Sequence, residues 1–294
     1  MRSVLKEEGG SPIQPQQDPT QVRTRPRRRL GSSWIRRGLL GLVIGLVVLT
    51  GIAVIYQAFA TQIYRRIYPP PGELVDVGGH TLHINCVGEG SPTVILESGS
   101  GANSTAWANI QPELADTTRV CAYDRAGTGW SEPGPGPGEP QQIAGELHTL
   151  LGNAGIDGPY VLVGHSFGGL YVLRYADLYP EEVEGMVLVD SSHPEQSARS
   201  AGAQATHETS TLVLPSTQSL GDKPLAVITA GEQHEPIWFE LQDELAALSS
   251  DSVHRVVEGA THGSLLDDQG DAQVTSTAIL EVVEAVHNGH PLMQ

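Results

Sequence analysis

The stretch Pro159-Tyr160-Val161-Leu162-Val163-Gly164-His165-Ser166-Phe167-Gly168-Gly169 runs from an apolar strand through a glycine-rich corner into a helical pattern. A strand that turns into a helix within one or two residues forces the corner residue to positive φ, and it brings strand and helix too close for side chains. Gly164 and Gly168 supply that clearance. The reading is a nucleophile elbow with Ser166 at its tip. Its hydroxyl stands above the sheet edge, and the Phe167 amide at the start of the next helix points toward whatever Ser166 attacks. An ordinary glycine-rich turn would share the Gly-x-Ser-x-Gly spacing; the strand, turn and helix setting favours the nucleophile.

Outward from the elbow, strand and helix patterns alternate. Leu74–Val77 and Thr81–Val87 read as a hairpin through Gly78-Gly79, and Thr93–Leu96 as a buried strand ending in Glu97-Ser98-Gly99-Ser100-Gly101. A short helix with Trp107, Ile110 and Leu114 leads to a strand over Arg119–Tyr123, then to a helix over 140–153. Past the elbow come a helix to Tyr179, a strand at Met186–Val189, a strand at Leu225–Thr229, a helix from Pro236, a strand at Val253–Val257 and a last helix around Ile279–Val286. This order predicts an α/β domain, a mostly parallel sheet covered on both faces. Residues 191–223 are polar and irregular and interrupt the alternation, which predicts a small cap over the site.

The 294 residues, 39% apolar, suffice for one large domain. Charge divides the chain. Residues 1–68 hold 11 of the 17 Lys and Arg with three acids, which leaves 6 basic against 31 acidic groups for the remainder. A body so acidic repels polyanions, which argues against a nucleic-acid partner. Residues 1–37, rich in Pro, Gln, Arg and Ser, read as a disordered basic tail. The 23 uncharged residues Gly38–Ala60 are long enough to cross a bilayer as a helix, and 61–72, with Pro69-Pro70-Pro71, read as a linker to a domain over 73–294. Basic residues cluster ahead of the span, so the tail is expected in the cytoplasm and the domain on the extracytoplasmic side of the cell membrane. A cleaved signal peptide, with Ala58-Phe59-Ala60 as its site, is the competing reading; the long apolar region and long leader favour an uncleaved anchor.

The elbow, the Tyr123-Asp124-Arg125-Ala126-Gly127-Thr128-Gly129-Trp130-Ser131 loop, the Ser98-Gly99-Ser100 loop and a late His262 after a strand together resemble the α/β-hydrolase superfamily, in particular its proline iminopeptidase and esterase-like branch. The resemblance covers residues 73 to 290 and implies an eight-stranded, mostly parallel sheet with a short cap. An aspartate nucleophile marks epoxide hydrolases and dehalogenases in that superfamily, so Ser166 disfavours those activities. A serine hydroxyl needs a base within hydrogen-bond reach. Of the 11 histidines, His262 takes that role by the superfamily's order of Ser, acid, His. The acid, by resemblance, is Asp190 at the end of the Met186–Val189 strand, with Glu232 and Glu235 as alternatives; the place after Gly231 where many relatives carry aspartate is His234. The oxyanion donors implied are the Phe167 and Ser100 amides, although Ser98-Gly99 stands where the family usually has His-Gly. Asp124 and Arg125 read as a loop-stabilising pair. Cys86 and Cys121 lie on strands that neighbour each other in that fold, so an oxidising exterior would allow a disulfide, with free buried thiols as the alternative.

No Cys-x-x-Cys, His-Glu-x-x-His or dinucleotide fingerprint is present, so no metal or cofactor is expected. Three functions remain open on the sequence: a membrane-anchored serine hydrolase acting on carboxylic esters of small molecules, an iminopeptidase-like aminopeptidase, and a non-catalytic binding module on the same fold. The oligomeric state is not legible.

Overall fold

The computed structural model describes residues 32–67, 69–136, 138–196, 199, 219–232 and 235–292. Contacts divide the chain into two units, Met1–Tyr64 and Arg65–Gln294. The first is a helical unit among its described residues. Its helix, Ser32–Ile67, contains a segment from Arg36 to Gln57 with mean hydropathy 2.7, long and apolar enough to cross a membrane. The helix overruns the expected limits on both sides. Arg and Gln are good helix formers, so Arg36, Arg37, Gln62, Arg65 and Arg66 continue the ladder until the Pro69 run forbids it. Residues 32–37 therefore do not belong to the expected tail, and the expected linker is helical as far as Ile67. Residues 1–31 of that tail lie outside the described residues.

The second unit is built on an eight-stranded sheet in the order β1-β2-β4-β3-β5-β6-β7-β8. The strands are β1 Glu73–Asp76, β2 Thr81–Val87, β3 Thr93–Glu97, β4 Val120–Asp124, β5 Tyr160–His165, β6 Val183–Val189, β7 Leu225–Ala230 and β8 Ser252–Val257. β2 is antiparallel to both its neighbours, and every other pairing is parallel. The expected architecture is the one found.

Why the central strands read as unbroken apolar runs is visible in β5. Val161 and Val163 face one core with Val94, Val187 and Ile228, while Leu162 faces the other with Ile95 and Leu188. Successive side chains point to opposite faces, and both faces are buried. The helices Pro140–Asn153 and Gly168–Leu178 supply Leu147, Leu150, Val172 and Leu173 to one layer; the helix Gln269–Asn288 supplies Ile279, Val282 and Val283 to the other. That last helix is longer than its apolar stripe suggested. The Asp268 side chain accepts from the Gly270 and Asp271 amides at its start, and Gly289, at φ 64, closes it.

Cys86 and Cys121 stand opposite each other in the antiparallel β2–β4 pair and are joined by a disulfide. The bond closes a loop with a sequence separation of 35. Replacing both cysteines by alanine is expected to lower the unfolding free energy by about 4 kcal/mol, through a less constrained unfolded chain. Urea unfolding of both proteins measures it; an unchanged midpoint would contradict the expectation.

Candidate active site

The corner after β5 has the geometry its sequence demands. Ser166 sits at φ 55, and its amide donates to the Val189 carbonyl at 3.1 Å, which ties the turn to the end of β6. A Cβ on Gly164 would lie 2.7 Å from the Gly169 backbone, and one on Gly168 would lie 2.4 Å from the Glu97 carbonyl oxygen. Neither contact is tolerable, so only glycine permits the corner. Phe167 is the N-cap of the helix Gly168–Leu178, which places its amide in the helix's first turn beside Ser166.

Asp190 follows β6 directly and is wholly buried, at φ 43. A buried carboxylate needs partners, and this one is fully engaged. Its Oδ2 lies 2.6 Å from His262 Nδ1, while Oδ1 accepts from the Trp238 indole N–H at 2.9 Å and from the Ala230 amide at 3.2 Å. With Nδ1–H donated to Asp190, His262 Nε2 carries the lone pair and is the ring nitrogen able to accept a proton. The His262 ring is 42% exposed.

The structure thus joins Asp190 to His262 and sets the other two acids aside. Glu232 and Glu235 are exposed on the loop after β7, and what they would have supplied is supplied from the end of β6. His234 lies outside the described residues. The loop after β8 that carries His262 is fastened to the elbow by His165. Its ring Nε2 is 3.1 Å from the His262 carbonyl oxygen, and the two rings are 4.6 Å apart. Burial, reinforced by the neighbouring His262, pushes the His165 imidazole down to about 4, so it is neutral and donates Nε2–H to that carbonyl.

On the opposite side, the loop after β3 runs against the elbow. A Cβ on Gly99 would lie 3.0 Å from Ser166 Cβ. Ser100, next in the chain, is exposed. Ser98, where the resemblance leads to an expected histidine, donates its hydroxyl to the Asn103 carbonyl at 2.9 Å and accepts from the Trp107 indole at 3.0 Å. The expected Asp124–Arg125 pair is corrected. Successive residues at a strand end point opposite ways. Asp124 takes the Ser104 and Trp130 amides at 2.7 and 2.8 Å with His83 Nδ1 at 2.9 Å, whereas Arg125 pairs with buried Glu97. Glu97 and Trp238 are the residues the sequence reading missed. Their partners lie 28 and 48 positions away, and no local pattern announces them. Among the described residues, no group of three or more His, Cys, Asp or Glu is placed to hold a metal ion.

A family model described as the alpha/beta hydrolase fold matches residues 92–214. A solved putative lipase from Acinetobacter baumannii AYE superposes with a TM-score of 0.62 at 18% identity, covering 79% of this chain and 97% of that one. The chain has the α/β-hydrolase fold. Among curated proteins, the uncharacterized protein YqjL of Bacillus subtilis is 28% identical over 238 residues, 73% of this chain and 92% of that protein. The probable transporter efuK of Hormonema carpetanum is 33% identical over 127 residues, 40% of this chain; the chain spans only 18% of its length. Within the α/β-hydrolase domain, residues 197, 198 and 200–218 of the expected 191–223 cap lie outside the described residues.

His165 ties the acid stability of this α/β-hydrolase domain to the site. The unfolded chain takes up the histidine proton near the ordinary 6.5, the native ring only near 4. The contribution from burying a neutral ring is therefore complete above about pH 6.5 and is lost as pH falls toward 4, on the order of 3 kcal/mol in all. His165→Gln keeps a donor without a titrating ring. Urea unfolding between those pH values should show a shallower loss for the variant; identical slopes would refute this role.

Proposed function

We propose that the chain is a membrane-anchored serine hydrolase that cleaves a carboxylic ester through an acyl-Ser166 intermediate. The observation that carries this reading is the wholly buried Asp190 carboxylate held 2.6 Å from His262 Nδ1, on loops fastened to a corner that carries Ser166 at φ 55. The likeness to a solved putative lipase supports an ester as substrate. In this mechanism His262 Nε2 takes the Ser166 proton as Oγ attacks the ester carbonyl carbon. Asp190 holds the imidazole tautomer and stabilises the imidazolium that forms. The Phe167 and Ser100 amides stabilise the oxyanion, His262 returns its proton to the leaving alkoxide, and water attacks the acyl-enzyme by the reverse proton path.

The anchor is the Gly38–Ala60 segment, supported by the apolar helix over Arg36–Gln57; the basic residues before it support a domain on the extracytoplasmic side. The substrate is a small-molecule ester, since the acidic body disfavours polyanions.

Ser166→Ala is expected to reduce turnover of a short p-nitrophenyl ester by at least about a thousandfold. Asp190→Asn should reduce kcat by roughly a thousandfold or more with little change in KM. Full turnover in Ser166→Ala would end the reading. Faster cleavage of Pro-p-nitroanilide than of the ester would move it to an aminopeptidase. Silence of the folded protein toward a fluorophosphonate probe would make the domain a binding module.

A further inference from the structure

A buried cation stands beside the site that no proton transfer above uses. Arg125 follows the last residue of β4 and is only 8% exposed. Its guanidinium donates from Nη1 to Glu97 and to the Ser98 carbonyl, and from Nη2 to the Gly99 carbonyl at 2.5 Å. Glu97, the last residue of β3, is wholly buried, and its second oxygen accepts from the Tyr123 hydroxyl. β3 and β4 are parallel neighbours, so the guanidinium is pinned to adjacent strand ends in the rigid middle of the sheet. It also lies 5.1 Å over the Tyr171 ring, on the helix that leaves the elbow.

The two carbonyls it holds belong to the loop that passes Ser166. In a planar trans peptide the C=O and N–H point in opposite directions. Holding the Gly99 oxygen toward Arg125 therefore turns the Ser100 N–H away from Arg125. Gly99 itself lies against the nucleophile, since a Cβ there would meet Ser166 Cβ at 3.0 Å and His165 Nδ1 at 3.2 Å. We infer that Arg125 is a positioning residue: by clamping the Ser98 and Gly99 carbonyls it aims the Ser100 N–H at the oxyanion formed on Ser166. The inference rests on the acyl-serine reading above. Arg125 acts in this inference through the loop it holds, and Glu97 with Tyr123 holds the clamp itself. A lysine in its place keeps the charge without the planar fork that serves two carbonyls and a carboxylate together.

The test compares wild type with Arg125→Ala and Arg125→Lys in the full chain, using a p-nitrophenyl ester and phenylboronic acid, whose tetrahedral Ser166 adduct needs the same amides. Arg125→Ala should lose about 100-fold or more in kcat with KM changed less than about threefold, and its boronate affinity should fall in parallel. The acid limb of the kcat/KM profile, which reports on His262, should stay where it is, and added guanidinium at non-denaturing concentration should restore part of the kcat. Arg125→Lys should show the same parallel loss, and it carries the test if the alanine variant does not fold. A folded variant with kcat within about threefold of wild type, a kcat loss without loss of boronate affinity, or a shifted acid limb would overturn the inference. Wild-type protein that neither cleaves the ester nor reacts with a fluorophosphonate would instead sink the hydrolase reading, and this inference with it.

Discussion

The architecture depends on a missing volume. Where β5 turns into its helix there is no room for a Cβ at Gly164 or Gly168, because the Gly169 backbone and the Glu97 carbonyl occupy that space. This close approach sets three things together. It forces Ser166 to φ 55, it presses the helix start onto the end of β3, and it brings Gly99 against Ser166. Positive φ in a residue with a side chain is strained, of order 1–3 kcal/mol, and persists only where the surroundings overdetermine it. Here the Ser166 amide hydrogen bond to the Val189 carbonyl, the two glycines and two packed strands do so.

Two buried carboxylates then divide the work around the corner. Asp190, at the end of β6, spends its oxygens on an imidazole, an indole and an amide, and so orients one loop. Glu97, at the end of β3, takes a guanidinium and a phenol, and through Arg125 holds the other. An unpaired charge in either place would be severely destabilising. His165 joins the two sides, with its ring against the His262 carbonyl and its Nδ1 toward Gly99. Both loops are therefore referenced to strand ends of one sheet, which keeps their mutual geometry fixed.

What the sequence made legible follows the range of each interaction. The elbow is local: glycines two residues either side of a serine, after an apolar strand, admit one compact solution. Strands β3 to β7 announced themselves because both faces are buried, and their apolar runs are continuous. Asp190 could be favoured from its place after a strand, yet Glu232 and Glu235 could be set aside only once the ends of β6 and β7 were brought together. Helix limits failed where polar residues carry the helix on, as at Gln269–Val274 under the Asp268 cap and at Arg36 and Arg65 in the long apolar helix. The Glu97–Arg125 pair was invisible for another reason. A glutamate after an apolar strand looks like a solvated strand end, and only β3 lying beside β4 converts it into a buried partner.

On the proposed function, a strained serine, an oriented imidazole and two aimed amides form one reacting centre. The most direct measurement is a crystal structure of the protein after reaction with a fluorophosphonate. The expected result is phosphorus bonded to Ser166 Oγ, with the phosphonyl oxygen about 2.7–3.1 Å from the amide nitrogens of both Phe167 and Ser100 and His262 still on Asp190. An adduct on another residue, or one on Ser166 with that oxygen facing solvent, would contradict it.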